Sequence, residues 1–222
     1  NVNTGKLIEA KVPTRGREGI YLGDASIDGV PGLAAPIALT FMDAAGAKTG
    51  KLLPTGNAVD MIDGVAVTAI DCAIPMVLMR AADLGVTGYE QPQALTDNRD
   101  LIERMSRIRV EAGKLMGMGD VTDMVIPKPV LIAPARKGGT LSVRYFMPND
   151  CHPALATTGA VGIATAAVTP GSVAYDVAGG LSVPALVRIE HPAGRLDVQL
   201  EMRSGAITAG LVRTARRLFE GF

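Results

Sequence analysis

The residues best suited to chemistry lie in one stretch, 147–168, with the sequence MPNDCHPALATTGAVGIATAAV. A polar loop that carries His152 runs into a helix whose first turn is Thr157-Thr158-Gly159. Backbone N–H groups at a helix start have no partner within the helix, and a glycine there permits close approach. We therefore predict an anion site on this turn, with a carboxylate as its guest. The simpler alternative is that Thr157 or Thr158 only caps the helix.

Four other groups of reactive side chains have simpler interpretations. Lys128, between two prolines in the run IPKP, either reaches solvent, pairs with an acid or clamps a substrate carboxylate. Cys151 has no adjacent base and is interpreted as a passive small side chain, and Cys72 as a core residue. The three arginines of segment 213–217 are interpreted as a solvated face rather than a polyanion patch. Of these residues, only Lys128 enters the predicted site.

Several catalytic motifs are missing from the sequence. The two histidines, His152 and His191, do not have the spacing of a metal-binding pair. The motifs HExxH, GxSxG, the P-loop and a GxGxxG after a strand are also absent. These absences disfavour zinc hydrolases, nucleotide-dependent enzymes and hydrolases with a nucleophile elbow. We therefore expect a chemistry that uses neither a metal nor an organic cofactor.

Length and composition limit the class of protein further. The 222 residues suffice for one large domain or two small ones, and 22 basic and 22 acidic residues give no net charge. A neutral chain with 4 Tyr, 4 Phe and no Trp does not favour nucleic acid or an anionic membrane as partner. Two cysteines and the absence of a signal sequence predict a cytoplasmic protein. Because the chain begins at Asn1 within strand-like sequence, we expect that part of a longer protein precedes it.

The hydrophobic pattern predicts a long amphipathic helix over 98–116, next to several strands. Its apolar stripe consists of Leu101, Met105, Ile108, Ala112 and Leu115. Thr96 and Asp97 offer oxygens for its N-cap, and Gly117 ends it. A second helix, 158–168, is small and apolar on every side and must therefore be buried all round.

Short runs rich in β-branched residues predict strands along the rest of the chain. They are 37–42, 65–71, 76–79, 130–133, 141–145, 182–190 and 196–202. We expect Pro75 to separate the second from the third. Residues 1–12 have the alternation of a strand pair around a Thr4-Gly5 turn. The pattern as a whole predicts an α+β fold.

Six segments of the chain resemble one protein family. They are NVNTGK at 1–6, SIDGVPG at 26–32, LLPTGNAVD at 52–60, RAADLGVTGYE at 80–90, CHPALATTGA at 151–160 and RTARRLFEG at 213–221. Together they resemble the PrpF family, and the segment 80–90 and the short loop after Gly138 are most similar to its 4-oxalomesaconate tautomerase branch. The segments occur in the family's order over the whole chain, which makes the resemblance specific.

The resemblance implies a diaminopimelate-epimerase-like fold of two similar domains related by a pseudo-two-fold axis. Each domain is a β-barrel-like sheet wrapped around a central buried helix, and the active site lies between the two helix N-termini. Residues 1–24 and 205–222 are then expected to be the remainder of the first domain, and 25–204 the second. This expectation agrees with the interpretation of 158–168 as a buried helix that faces an anion.

The resemblance also implies which site residues this chain holds. The family's catalytic Lys and its Cys of the NCGN type lie upstream of the motif that matches Asn1, so we expect the chain to lack both. Alignment on Gly159 places Ala156 where related epimerases have a second Cys, which argues against a two-thiol racemase. The family has a His at the position of His152. We expect this residue to bind substrate or relay a proton, although a structural role is the simpler alternative.

Members of the family isomerise unsaturated polycarboxylates by moving a proton, without a cofactor. The resemblance therefore implies an isomerase, with 4-oxalomesaconate tautomerisation in bacterial aromatic-acid breakdown as the first hypothesis. A 2-methylaconitate cis–trans isomerase is the alternative within this class. A non-catalytic carboxylate-binding or accessory protein is the alternative outside it. The expected partner is a small polycarboxylate, and a homo-oligomer is left open.

Overall fold

The computed structural model describes residues 5–219, which form strands and a few helices. The strands are β1 (Ile8–Lys11), β2 (Thr14–Arg15), β3 (Glu18–Gly19), β4 (Ile37–Phe41), β5 (Asp60–Ile62), β6 (Val65–Cys72), β7 (Ile74–Arg80), β8 (Lys128–Pro134), β9 (Leu141–Tyr145), β10 (Ala185–His191), β11 (Gly194–Arg203) and β12 (Ala206–Arg213). The helices are α1 (Pro92–Thr96), α2 (Arg99–Leu115), α3 (Thr157–Ala167) and α4 (Val173–Val177). Of the predicted N-terminal strand pair, residues 1–4 lie outside the described part of the chain.

One large sheet dominates the architecture. Its strands follow the order β1-β4-β12-β11-β10-β9-β8-β7-β6-β5, while β2 and β3 form a separate ribbon. The pairs β7–β8 and β9–β10 are parallel, and the other pairs in the sheet are antiparallel. The predicted α+β class is therefore confirmed, with a mostly antiparallel sheet and few helices.

Helix α3 lies in the main hydrophobic core and is buried on all sides, as its composition predicts. Gly159 through Ala167 are all buried, and the helix packs against β6, β7, β10, β11 and β12. Small side chains allow this close approach, because a Cβ at Gly162 would lie 2.8 Å from the carbonyl oxygen of Cys72. Strands from both halves of the large sheet thus contact one helix. The N-terminus of this helix lies at one end of the core.

Helix α2 covers the other face of the sheet. Along β8, Val130 and Ile132 belong to the core around α3, whereas Leu131 and Ala133 belong to the core under α2. This alternation is the period of two expected for a strand buried on both faces. No helix within residues 5–219 is long and apolar enough to cross a membrane.

Two details of the predicted α2 are wrong. The N-cap is Asn98, whose side chain accepts a hydrogen bond from the Leu101 N–H at 3.2 Å, rather than Thr96 or Asp97. Leu115 is 47% exposed, because the buried stripe continues through Gly113 to Met116, where the loop at 121–124 packs on the helix.

The break between β6 and β7 lies at Ala73 rather than at Pro75. Ala73 adopts a left-handed conformation with φ 60° and forms the turn, and Cys72 pairs with Ile74 on either side of it. Pro75 lies inside β7 opposite Asp71. The prediction of two strands is correct, but its physical reason is wrong.

Strand β12 was not predicted, and it occupies the interior of the sheet. It forms hydrogen bonds with β11 on one side and β4 on the other, and its Ala209 and Leu211 belong to the core around α3. The segment 205–222 is thus joined through β12 to strands of the segment 25–204. The predicted division of the chain into domains at these boundaries stays a prediction.

Candidate anion site at the start of helix α3

Helix α3 begins without a side-chain cap. Its N-cap residue is Ala156, in an extended conformation, and the first backbone bond within the helix runs from the Ala160 N–H to the Ala156 carbonyl at 2.9 Å. The N–H groups of Thr157, Thr158 and Gly159 therefore have no acceptor within the helix. The alternative that Thr157 or Thr158 caps the helix is wrong. Unpaired N–H groups and the positive end of the helix dipole favour an anion here.

Two cavities meet this helix N-terminus. The larger has a volume of about 470 Å³, and its lining includes Asp28, Thr157, His191, Arg195, Asp197 and Arg213. The smaller has a volume of about 110 Å³, and its lining includes Lys6, Asp43, Thr157 and Thr158. Because Thr157 lines both, the start of α3 is open to the two cavities. Thr157 and Thr158, two of the predicted site residues, thus lie together at an accessible helix end.

Arg213 belongs to this site, contrary to its interpretation as part of a solvated face. Its side chain is half-buried, and Nε donates a hydrogen bond to Oγ1 of Thr157 at 3.0 Å. Burial lowers the pKa of the guanidinium. The arginine is brought to α3 by β12, where it follows Ala209 and Leu211 on the face that packs on the helix. A charged group that lines the cavity at α3 was therefore missed together with its strand.

Gly159 and His152 contact Tyr145 and line neither of the two cavities at α3. A Cβ at Gly159 would lie 2.6 Å from Cε2 of the Tyr145 ring, so the glycine is required for packing. The His152 ring stands edge-on to the same tyrosine, with ring centroids 6.2 Å apart. Its Nδ1 accepts a hydrogen bond from the Ala154 N–H at 2.9 Å, which orders the loop before α3. These contacts support the structural alternative for His152, and its role toward substrate stays a prediction.

Lys128 is buried at the start of β8 and lines neither cavity at α3. It is 6% exposed, and its Nζ lies 3.9 Å from Sδ of Met147. Burial and the nearby charge of Arg109 lower its pKa. No acidic side chain within residues 5–219 pairs with this ammonium. Neither solvent exposure nor an ion pair therefore accounts for the position of Lys128. A carboxylate clamp at Lys128 stays a prediction.

The two cysteines are buried, in agreement with their interpretation as unreactive side chains. Burial raises the pKa of the Cys72 thiol to about 12 and that of Cys151 to about 11. Since the thiolate is the nucleophile, such thiols react slowly near neutral pH. Neither cysteine lines the two cavities at α3.

His191 is a second site residue that the sequence did not indicate. It ends β10, is only 8% exposed and lines the larger cavity, and no hydrogen-bond partner is found for its Nδ1 within residues 5–219. Burial is the strongest influence on its pKa and lowers it, aided by the charge of Arg213 and by His152. Asp28 and the backbone of Arg195 act in the opposite direction but do not outweigh burial. His191 is thus held neutral beside the cavity.

This lowered pKa predicts an acid-sensitive fold. In the unfolded chain a histidine takes up a proton near its usual pKa of about 6.5, whereas folded His191 resists protonation. The free energy of unfolding should therefore decrease as the pH falls below about 6.5. The variant His191→Phe should lose less stability than the wild type between pH 7.5 and pH 5, as measured by urea denaturation. Equal losses in both proteins would show that His191 titrates normally.

A carboxylate with a lowered pKa affects the free energy of unfolding at lower pH than His191 does. Burial alone would raise the pKa of Glu190, but backbone hydrogen bonds from Arg136, Gly139 and Lys137 outweigh it and lower the pKa. Its stabilising effect is present above the usual pKa of about 4.5 and is lost below it. The effects of Glu190 and His191 are thus separated by pH.

Comparison with known proteins identifies the family. The family model described as "PrpF protein" matches residues 1–222. The chain belongs to the PrpF family. It is 51% identical over 228 residues to YbhH of Escherichia coli, covering 100% of this chain and 64% of that protein. It is 46% identical over 223 residues to the 4-oxalomesaconate tautomerase of Pseudomonas putida, covering 99% of this chain and 61% of that protein.

A solved structure of a similar protein has the same fold. The crystal structure of methylitaconate-delta-isomerase superimposes with a TM-score of 0.88 at 32% identity, over 99% of this chain and 63% of that one. The PrpF chain described here thus spans slightly less than two thirds of the length of the relatives it matches.

Proposed function

We propose that this chain forms the carboxylate-binding part of an isomerase that moves a proton within an unsaturated polycarboxylate. The proposed substrate is 4-oxalomesaconate, which carries three carboxylates. The observation that supports the proposal best is the uncapped N-terminus of α3, open to two cavities and joined to Arg213 through Thr157. The 46% identity to the Pseudomonas putida tautomerase supports the choice of substrate.

In this proposal, the chain binds and orients the substrate. One carboxylate accepts hydrogen bonds from the N–H groups of Thr157 and Thr158 and is stabilised by the helix dipole. Apolar residues enclose α3 behind this end, so water does not compete from the core side. A fixed carboxylate holds the neighbouring carbons of the substrate in one orientation, which is what a proton transfer requires.

The N-cap residue of α3, Ala156, supports a proton transfer on only one face of the substrate. Ala156 lines the larger cavity, where related epimerases are expected to have a thiol. A methyl group neither accepts nor donates a proton, so this side of the substrate meets binding groups alone. A tautomerase or allylic isomerase can work in this way, whereas a two-thiol racemase cannot. We retain the inference that the family's catalytic Lys and Cys have no counterpart among these 222 residues.

We further propose that the sheet wraps around α3 in a barrel-like manner. The contacts of α3 with strands from both halves of the sheet order support this arrangement. The proposed domain division, with 1–24 and 205–222 in a first domain and 25–204 in a second, belongs to the same hypothesis. Both would place the start of α3 at a boundary between domains.

Turnover in D2O tests the proposed function. The complete protein that contains these 222 residues is incubated with 4-oxalomesaconate and, separately, with 2-methylaconitate, and proton NMR follows each substrate. We expect isomerisation of 4-oxalomesaconate with deuterium entering the carbon next to the ketone, which loses a proton on enolisation and regains one from solvent in the reverse step. Turnover of 2-methylaconitate alone would support the alternative isomerase. Binding of both compounds without turnover of either would favour a non-catalytic carboxylate-binding protein.

Isomerisation is expected to need no metal ion. No group of three or more His, Cys, Asp or Glu side chains that could hold a metal lies within residues 5–219. Carboxylate recognition by helix N–H groups and arginine also requires no cation bridge. Dialysis against EDTA should therefore leave the rate of isomerisation within about 20% of the untreated protein. A loss of activity that added Mg²⁺ or Zn²⁺ restores would contradict this expectation.

A further inference from the structure

The larger cavity is lined by polar side chains that do not belong to α3. Strands β10 and β12 both pair antiparallel with β11 and therefore run in the same direction. Their C-terminal ends lie side by side, on either side of the start of β11. On β12, Arg213 follows the buried Leu211 on the face toward α3, and on β10, His191 follows the buried Ile189. At these strand ends the apolar core gives way to two polar side chains, which line one cavity of about 470 Å³.

Arg213 has hydrogen-bonding capacity that the protein does not use. Nε donates to Oγ1 of Thr157 and Nη1 donates to the carbonyl of Val212, each at 3.0 Å. Nη2 has no acceptor within residues 5–219, and no acidic side chain among them forms an ion pair with this arginine. The desolvation that lowers its pKa is therefore not offset by an acid. A guanidinium presents its N–H groups in a fork that matches a carboxylate.

The other charged groups of the cavity have partners that do not include Arg213. Asp197 forms ion pairs with Arg195, with Nε and Oδ1 2.9 Å apart, and with Arg188, with Nε and Oδ2 3.9 Å apart. Oδ2 of Asp28 accepts a hydrogen bond from the Arg195 N–H at 2.7 Å, at the His191 end of the cavity. This carboxylate repels an anion from that end. The buried His191 is held neutral and adds no competing positive charge.

We propose that Arg213 binds, in this cavity, the carboxylate that a tricarboxylate has in addition to the two of a dicarboxylate, and thereby selects tricarboxylates over dicarboxylates. This inference rests on the proposed function, because it assumes a first carboxylate at the start of α3. The cavity volume is within the range of sites for small ligands. Arg213 is a specificity-determining residue in this arrangement, and it joins the two subsites through its hydrogen bond to Thr157.

Binding of two stable probes tests the inference without the need for turnover. The probes are trans-aconitate, a tricarboxylate, and mesaconate, a dicarboxylate with the same double bond, and calorimetry measures both dissociation constants. In Arg213→Gln, the affinity for trans-aconitate should fall at least tenfold, while that for mesaconate changes less than threefold. Arg213→Lys keeps the charge without the fork and should give an intermediate loss for trans-aconitate only. The lysine variant also tests the inference if the glutamine variant does not fold.

The matched control is Arg216→Gln, which removes the same charge three residues away. Arg216 is exposed and does not line the cavity, so both dissociation constants should stay within twofold of the wild type. Equal losses for the two probes in Arg213→Gln, or no loss for either, would overturn the inference and leave the proposed function intact. If wild-type protein binds neither probe, the carboxylate site itself is absent and the proposed function fails as well.

Discussion

Replacing Thr158 by Asp in the complete enzyme is expected to raise KM for 4-oxalomesaconate by about tenfold to a hundredfold. Thr158 is the second residue of α3 and lines the smaller cavity at the helix N-terminus. A carboxylate at this position would occupy the N–H groups that we assign to the substrate and would repel the substrate's own charge. At an effective dielectric constant of about 20, two like charges within one helical turn repel by a few kcal/mol. A tenfold loss of affinity corresponds to about 1.4 kcal/mol.

The fold should tolerate this change, because an acidic residue in the first turn of a helix is favourable by about 0.3–1 kcal/mol. The matched control is Thr158→Asn, which has nearly the same shape as the aspartate but no charge. We expect a KM within about threefold of the wild type for the asparagine variant, and a thermal unfolding temperature no lower than that of the wild type for the aspartate variant. If Thr158→Asp keeps a normal KM and kcat, the substrate carboxylate binds elsewhere.

The sequence predicted those elements whose signal is local. Helix α3 was predicted because residues 158–168 are small and apolar at every position, which only a buried helix explains. Strand β9 was predicted to the residue as a short strand-like run. The open end of α3 was also predicted, because its threonines and glycine are adjacent in the chain.

Strand β12 could have been predicted from its turn. Ser204 and Gly205 adopt φ angles of 50° and 81° between the paired residues Arg203 and Ala206, which is a two-residue hairpin. A Ser-Gly pair between two apolar runs is a recognised signal for such a turn. With β12 in place, alternation from Leu211 would have placed Arg213 on the face toward α3.

The larger cavity could not have been predicted in this way, because its walls are distant in sequence. Asp28 accepts a hydrogen bond from the backbone of Arg195, which is 167 residues away in the sequence. His191 and the start of α3 line the same cavity only because of the order of strands in the sheet. His191 is not part of a local motif. The structural role of His152, through Tyr145 and Ala154, also depends on a contact between β9 and the loop before α3.

Replacing Ala164 by Leu is expected to lower the free energy of unfolding by about 1–3 kcal/mol. Ala164 is fully buried in the middle of α3, within the core that the sheet forms around this helix. Three additional carbon atoms find no space there without displacing neighbours. The helix itself is not weakened, because alanine and leucine both have high helix propensity. The loss of stability thus measures packing around α3.

The control for this experiment is the same substitution at an exposed helical position. Ala94 lies on the exposed side of α1, so Ala94→Leu should change the free energy of unfolding by no more than about 0.5 kcal/mol. Urea denaturation of the two variants and the wild type gives the comparison directly. If Ala164→Leu is as stable as Ala94→Leu, then α3 has free space around it. The positioning of its N-terminus by close packing would then be wrong, and with it the rigid carboxylate site on which the proposed function depends.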